Sequence, residues 1–273
     1  MQNNKTAWCP GCGNFGILKA VQDAVSKSGR NKSEFLFVSG IGQAAKLPHY
    51  IEANCFNGLH GRALPVAAGA RMVRKDLKIV VTTGDGDCYG EGGNHFIHNI
   101  RRNIDITVIV HDNRIYGLTK GQASPTTSQG FKTDIQIEGA LSSQFRPLET
   151  ALIGGAGFVA RGFSGNPEQL TGLILEALEY KGFSLIDVFQ PCVSFNKVNT
   201  MKWFKDRIYN LSDKAHDPSD KASAMREAAK KDEEGLPVGI FYKQTGKSFP
   251  EYDEMTIGEN EASGGFLKEH IIS

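Results

Sequence analysis

Two rhythms of apolar residues alternate along the first two-thirds of the chain. Short continuous runs at 34–38, 77–82, 104–111, 157–162 and 184–189 have the length and β-branched content of buried strands. Between them, apolar residues recur every three or four positions. Ile17, Leu18, Val21 and Val25 share one face of a helix predicted over 15–25. An Ala-rich helix is predicted over 62–74, with Pro65 in its first turn, and another over 92–102 carrying Phe96, Ile97 and Ile100. Asn166-Pro167-Glu168 reads as an N-cap followed by Pro at the first helical position, opening a helix to Tyr180. Strands alternating with helices build βαβ units. The predicted fold class is therefore α/β: a doubly wound, mainly parallel sheet covered on both faces.

The rhythm changes near residue 195. Segments 199–211 and 213–234 are polar, with Lys, Asp and Glu runs, and a short apolar segment follows at 237–242. This divides the chain into an α/β domain over 1–195 and a C-terminal extension over 196–273. The extension packs on the domain or on a partner, and nothing in it looks catalytic.

Of 273 residues, 40% are hydrophobic and 22% charged, enough for a sizeable core and too apolar for a disordered chain. The 31 basic and 30 acidic side chains nearly cancel, which argues against a general nucleic-acid or membrane-surface binder. Apolar runs such as 106–110 are far too short to span a bilayer. No apolar run follows the first six residues, so no signal peptide is expected, and the reading is a soluble cytoplasmic protein. There is no fixed-period repeat. The 31 glycines cluster in short loops, where backbone can approach a ligand closely.

The most informative loop follows the second strand. Val80-Val81-Thr82-Thr83 runs into Gly84-Asp85-Gly86-Asp87; a helix and the strand 104–111 follow, ending in Asp112-Asn113-Arg114-Ile115-Tyr116. One crossover returns the chain to the same edge of the sheet, so Asp85 and Asn113 are predicted at the carboxyl ends of neighbouring strands, where open α/β sheets bind ligands. A carboxylate, an amide oxygen and a backbone carbonyl suit a hard cation such as Mg²⁺, which takes its remaining ligands from phosphate and water. The flanking glycines and the following helix N-terminus suit phosphate oxygens.

A Gly-Asp-Gly with an Asn a little under thirty residues later resembles the thiamine diphosphate motif of diphosphate-type binding domains. Trp8-Cys9-Pro10-Gly11-Cys12-Gly13, Ser39-Gly40-Ile41-Gly42, Leu59-His60-Gly61-Arg62, Gly84-Asp85-Gly86-Asp87 and Tyr116-Gly117-Leu118-Thr119-Lys120-Gly121-Gln122 occur in that order. Together, over roughly residues 7 to 245, they resemble the β subunit of 2-oxoacid:ferredoxin oxidoreductases.

The resemblance implies Mg²⁺ on Asp85, Asn113 and the Ile115 carbonyl. It implies a thiamine diphosphate site lined by Ile41, Gly42, Gln43, Ala44, His60, Gly86, Asp87, Gly117 and Leu118. Leu118 matches the bulky residue that bends the cofactor into its V shape and brings its aminopyrimidine near the thiazolium. Lys46 matches a Lys near the substrate carboxylate, and Lys120 is a second candidate. The family's activating Glu comes from a partner, and this chain has no good internal candidate. The implied partners are an α (or α/γ) subunit with the pyrimidine-binding domain in a heterotetramer, ferredoxin, a 2-oxoacid and coenzyme A.

Five cysteines are present: Cys9, Cys12, Cys55, Cys88 and Cys192. Without an export signal disulfides are a poor reading. Cys9-Pro10-Gly11-Cys12 alone fits half a zinc site, a redox dithiol or a chance pair, and no second C-x-x-C completes a zinc ribbon. The resemblance implies a 4Fe–4S cluster on this pair plus Cys192 and a cysteine directly after Gly-Ile-Gly. That last position is Gln43. Cys55 in its place, three-cysteine ligation, and absence of a stable cluster are all open; retained ligation is favoured. Cys88 is assigned to packing. His95, His98 and His111 invite a zinc reading, but no carboxylate or fourth ligand completes it, and packing is expected.

The function implied is oxidative decarboxylation of a 2-oxoacid (2-oxoglutarate or pyruvate) with coenzyme A to acyl-CoA and CO2, reducing ferredoxin. The missing cysteine keeps a second function open, that of a non-redox thiamine diphosphate-dependent decarboxylase or carboligase subunit. The intact Asp85/Asn113 pair argues against a non-catalytic scaffold.

Overall fold

A computed structural model of the chain describes residues 6–244. Eight strands form one sheet in the order β2-β1-β3-β4-β6-β5-β8-β7. The five predicted strands are β1 (Phe35–Ser39), β3 (Lys78–Gly84), β4 (Ile106–Asp112), β5 (Phe158–Phe163) and β6 (Phe183–Phe189). All five run parallel. Every residue of β4 and β6, at the centre, is buried, which is why these segments read as unbroken apolar runs.

The helices cover both faces. α1 (Asn14–Lys27) and α5 (Pro167–Glu179) pack on one, through Ile17, Val21, Leu170 and Ile174 against Phe37, Val80 and Ile186. α2 (Ala63–Val73), α3 (Gly93–Arg101) and α4 (Pro147–Gly154) pack on the other, around Phe96, Val108, Leu152 and Leu185. Asn166 caps α5 as predicted, its side chain accepting from the Gln169 amide at 3.2 Å. A Cβ on Gly16 of α1 would stand 1.9 Å from the Ser164 carbonyl oxygen, so only glycine lets this helix press on the loop after β5.

Elements without an apolar rhythm went unpredicted. β2 (Asn54–Asn57) is an exposed edge strand held by pairing with β1. α4 starts at a proline and ends at Gly155, whose φ is +92°. The segment beyond 195 contributes α6 (Met201–Lys205), β7 (Ile208–Asn210), α7 (Lys221–Ala228) and β8 (Leu236–Lys243). β8 is the apolar segment predicted at 237–242, and it joins the main sheet antiparallel to β5. Residues 245–273 of the extension, and 1–5 at the start, lie outside the described residues. Among the described residues no helix is long and apolar enough to cross a membrane.

Candidate diphosphate and cysteine site

β3 pairs with β4 in parallel register up to Gly84 and His111, so Asp85 and Asn113 leave the sheet side by side at its carboxyl edge. Asp85 opens a π-helical turn, Gly86–Glu91, that leads into α3. A Cβ on Gly86 would lie 2.1 Å from the Tyr116 ring, and one on Gly90 would lie 2.6 Å from its hydroxyl, so glycine at both positions lets Tyr116 close over the turn.

The Asp85 carboxylate is 2% exposed. Its Oδ2 accepts hydrogen bonds from Ser124 Oγ at 2.5 Å and Thr126 Oγ1 at 2.6 Å. No basic side chain pairs with it among the described residues. Burial pushes its carboxyl up to about 6, against the pull of the two hydroxyls. A cation beside it would reverse that burial cost. Thr126 Oγ1 also lies 2.7 Å from Asp112 Oδ1, which places two buried acids around one hydroxyl. Ser124 and Thr126 sit in an irregular loop and carry no signal in the sequence.

Asn113 follows β4. Its Oδ1 accepts from the Ile115 amide at 3.0 Å, its Nδ2 donates to Gln190 Oε1 at 3.2 Å, and its carbonyl accepts from Asn196 Nδ2 at 3.1 Å. The turn is held by Arg114 in the left-handed region, φ +58°. Beyond it, Tyr116 and Gln122 pair to pinch off a tight loop. That loop carries Gly117, with Leu118 and Lys120 exposed; Leu118 is 44% exposed, an apolar side chain left at the ligand edge of the sheet.

Asp87 ties three predicted cofactor loops together. Its Oδ1 receives the amides of Ile41 (3.2 Å) and Gly61 (2.7 Å) and lies 2.8 Å from His60 Nδ1; its Oδ2 receives Thr83 Oγ1 at 2.6 Å. The carboxylate thus faces protein, and the loops it pins carry Ile41, Gly42 and His60 to the same edge. Gln43, Ala44 and Lys46 follow in sequence, the last two within a short 3₁₀ segment, Ala44–Tyr50. The half-buried Lys46 makes no ion pair or side-chain hydrogen bond among the described residues.

The cysteines divide by position. The Cys9–Cys12 turn closes with Cys12 N–H donating to Cys9 O, and Gly13 N–H donates to the Pro191 carbonyl, so the N-terminal turn meets the loop after β6. Ser194 Oγ donates to Cys9 Sγ at 3.0 Å, and Gln190 Nε2 to Cys12 Sγ at 3.5 Å. Burial pushes the Cys12 thiol up to about 11, and the Cys192 and Cys9 sulfurs add to the rise. Gln43 completes the ring. Trp8 Nε1 donates to its carbonyl at 2.8 Å. A Cβ on Gly117 would stand 3.9 Å from both Gln43 Cγ and Cys192 Sγ. Gln43 Oε1 is buried with no partner among the described residues.

Cys55, one of the three open alternatives for the missing ligand, sits on the edge strand β2. The registers align Cys55 with Phe37, Val80, Thr107 and Ser184 across five strands. Four strand spacings, roughly 19 Å, separate it sideways from β6, and Cys192 lies eight residues further along. Cys88 is 3% exposed in the core. Fully buried His111 pairs through Nδ1 with Asn14 Oδ1 at 2.8 Å. Among the described residues, no three His, Cys, Asp or Glu side chains converge on one ion-sized site.

Residues 38–188 match the family model for the thiamine pyrophosphate enzyme C-terminal TPP binding domain. Residues 192–256 match the model for the C-terminal part of the pyruvate ferredoxin oxidoreductase beta chain. The chain is 41% identical over 244 residues to a 2-oxoacid:ferredoxin oxidoreductase β subunit of Aeropyrum pernix, covering 86% of this chain and 77% of that one. It is 42% identical over 247 residues to the corresponding subunit of Saccharolobus solfataricus, covering 86% and 81%. A solved structure of 2-oxoglutarate:ferredoxin oxidoreductase from Magnetococcus marinus, with 2-oxoglutarate, coenzyme A and succinyl-CoA bound, superposes with a TM-score of 0.88 at 37% identity, over 98% of this chain and 89% of that one. A thiamine diphosphate-binding sheet edge and a C-terminal segment of matching type, in one chain, leave one assignment: the protein belongs to the β subunits of the 2-oxoacid:ferredoxin oxidoreductases.

Proposed function

We propose that this β subunit supplies the diphosphate half of a thiamine diphosphate site and the first electron acceptor of a cytoplasmic complex. The complex converts a 2-oxoacid and coenzyme A to acyl-CoA and CO2 and passes two electrons, one at a time, to ferredoxin. The substrate class is 2-oxoglutarate or pyruvate. The observation that carries the reading is Asp85 beside Asn113 on adjacent strand ends: a buried carboxylate with hydroxyl donors and no basic partner among the described residues, next to an amide and a carbonyl. These donors fit Mg²⁺, with Asp85, Asn113 and the Ile115 carbonyl as protein ligands.

Thiamine diphosphate, held by these residues, would supply the nucleophilic carbon and electron sink that decarboxylation of a 2-oxoacid needs. The chain's own groups hold and orient. Ile41, whose amide is held by Asp87, would line the cofactor together with Gly42, Gln43, Ala44, His60, Gly86, Asp87 and Gly117. Leu118 presents an apolar wedge to the cofactor. Lys46, and Lys120 at the rim, attract the substrate carboxylate. Burial and the neighbouring Cys192 and Cys9 sulfurs disfavour the Cys12 thiolate, a cost that iron offsets. Cys9, Cys12 and Cys192 therefore fit a 4Fe–4S cluster with Gln43 at the fourth corner. An α subunit brings the pyrimidine-binding domain and the activating Glu. Among the described residues, those up to 195 carry the cofactor half, and 196–244 the part of the extension that packs on it, β8 pairing with β5.

Gln43 in place of a thiolate favours one other reading, a non-redox decarboxylase or carboligase. Iron content of the anaerobically assembled complex separates the two. About four irons per β chain, with visible absorbance bleached by reductant, support the oxidoreductase; an iron-free complex that still decarboxylates supports the alternative.

A further inference from the structure

Gln190, at the end of β6, is 1% exposed, and each polar atom of its amide has a partner. Nε2 donates to the Pro191 carbonyl at 2.8 Å and to Cys12 Sγ at 3.5 Å. Oε1 accepts from Asn113 Nδ2 at 3.2 Å. Both partners of the nitrogen are acceptors and the partner of the oxygen is a donor, so the network leaves one orientation of the amide. That orientation propagates. With Asn113 Nδ2 committed to Gln190, Asn113 Oδ1 turns to the other side, where it accepts the Ile115 amide.

The approach is built into the backbone. Gln190 N–H donates to the Asp112 carbonyl at 2.9 Å, which anchors it to the end of β4. A Cβ on Gly13 would stand 3.0 Å from Gln190 Cγ and 3.1 Å from Nε2, so glycine in the cysteine turn makes room for the amide. One side chain therefore touches a cysteine of the N-terminal turn and the asparagine of the Asn113–Ile115 turn.

We propose that Gln190 is a positioning residue shared by the two centres: it orients the Asn113 amide so that oxygen faces the cation, and it donates a hydrogen bond to the cluster sulfur of Cys12. The inference rests on the cofactor assignment of the preceding section. A hydrogen bond to a cluster sulfur stabilises the more negative reduced state, so it raises the reduction potential. Outer partners of a metal ligand set its orientation, and losing one typically costs 10–100-fold in affinity.

Gln190→Met keeps length and bulk and removes both bonds. Gln190→Glu keeps an acceptor for Asn113 and removes the donor to Cys12. Each is made in the anaerobically assembled complex. The midpoint potential is read by redox titration followed by electron paramagnetic resonance, and the Mg²⁺-dependent affinity for thiamine diphosphate by calorimetry. Gln190→Met is expected to shift the potential negative and weaken the affinity about tenfold. Gln190→Glu is expected to shift the potential negative while the affinity stays within about twofold, a split that a merely structural role does not produce. Should Gln190→Met not assemble, the Gln190→Glu split decides. Iron-replete Gln190→Met with both properties unchanged overturns the proposal; a change in one alone removes the other half. A wild-type complex without iron overturns the cluster half together with the reading beneath it, and the affinity arm still decides the metal half.

Discussion

Arg114, inside the proposed metal turn, donates Nη1 to Asp232 Oδ2 at 2.5 Å and Nη2 to Asp232 Oδ1 at 3.0 Å. Asp232 belongs to the C-terminal extension, and so do Trp203 and Phe204, whose rings lie 5.4 and 5.8 Å from the guanidinium. A residue with φ near +58° is held in a conformation that costs about 1 kcal/mol or more. The fork on Asp232 and the surrounding rings keep it there. The extension therefore grips the turn that presents Asn113 and Ile115.

Asp232→Ala takes the bidentate partner from a buried guanidinium whose other acidic neighbours are Asp112 and Asp187, at a cost of about 3 kcal/mol, or a fall in Tm of roughly 10 °C. Asp232→Glu should recover part of it. Burial raises the Asp232 carboxyl, but the Arg114 hydrogen bonds and charge outweigh it and hold it below the usual carboxylate range. The folded value lies below the unfolded one, so the contribution is present above about pH 4 and fades as pH falls further. Thermal melts of wild type and Asp232→Ala should stay apart at neutral pH and converge in acid.

Asp85→Ala should weaken Mg²⁺-dependent thiamine diphosphate binding by at least about 100-fold, more than the loss of an outer partner costs. The cofactor-free chain should keep its Tm within a few degrees, because what is removed is a buried acid whose charge nothing basic offsets. Calorimetric titration of the variant measures the affinity and thermal melts measure the stability; unchanged cofactor affinity contradicts the Mg²⁺ assignment.

The cysteines separate by geometry. Cys9→Ser, Cys12→Ser and Cys192→Ser should each strip most of the iron, whereas Cys55→Ala should leave it at the wild-type level, since Cys55 sits on the edge strand β2, away from the loop after β6 that carries Cys192. Gln43→Cys should slow iron loss in air. Iron analysis after timed exposure measures this, and bleaching by Cys55→Ala would sink the ring assignment.

How far these features were legible follows from what each element leaves in the sequence. β4 and β6 are buried on both faces, so their apolar runs announced them, and α1 carried its stripe at Ile17, Leu18, Val21 and Val25. The Gly84–Asp87 loop and Asn113 were legible because strand order follows from one crossover. β2 was not, because Asn54-Cys55-Phe56-Asn57 is exposed and held only by backbone pairing. Ser124, Thr126, Gln190 and Asp232 were also missed. Each acts through contacts made far away in the chain, and such contacts have no period.

Gly16→Ala should destabilise the chain by about 1–3 kcal/mol, because its methyl would enter the Ser164 carbonyl. Gly172→Ala, on α5 with open space around it, should be neutral or slightly stabilising. Chemical denaturation of the two variants compares them directly.

The proposed activity is decided by ferredoxin reduction in the anaerobically assembled complex of this chain with its α partner, given a 2-oxoacid, coenzyme A, Mg²⁺ and thiamine diphosphate. Reduction should require every component, be absent with either chain alone, and disappear in Asp85→Ala although that variant still assembles and retains its iron. CO2 release without ferredoxin reduction, or full reduction by Asp85→Ala, would overturn the assignment.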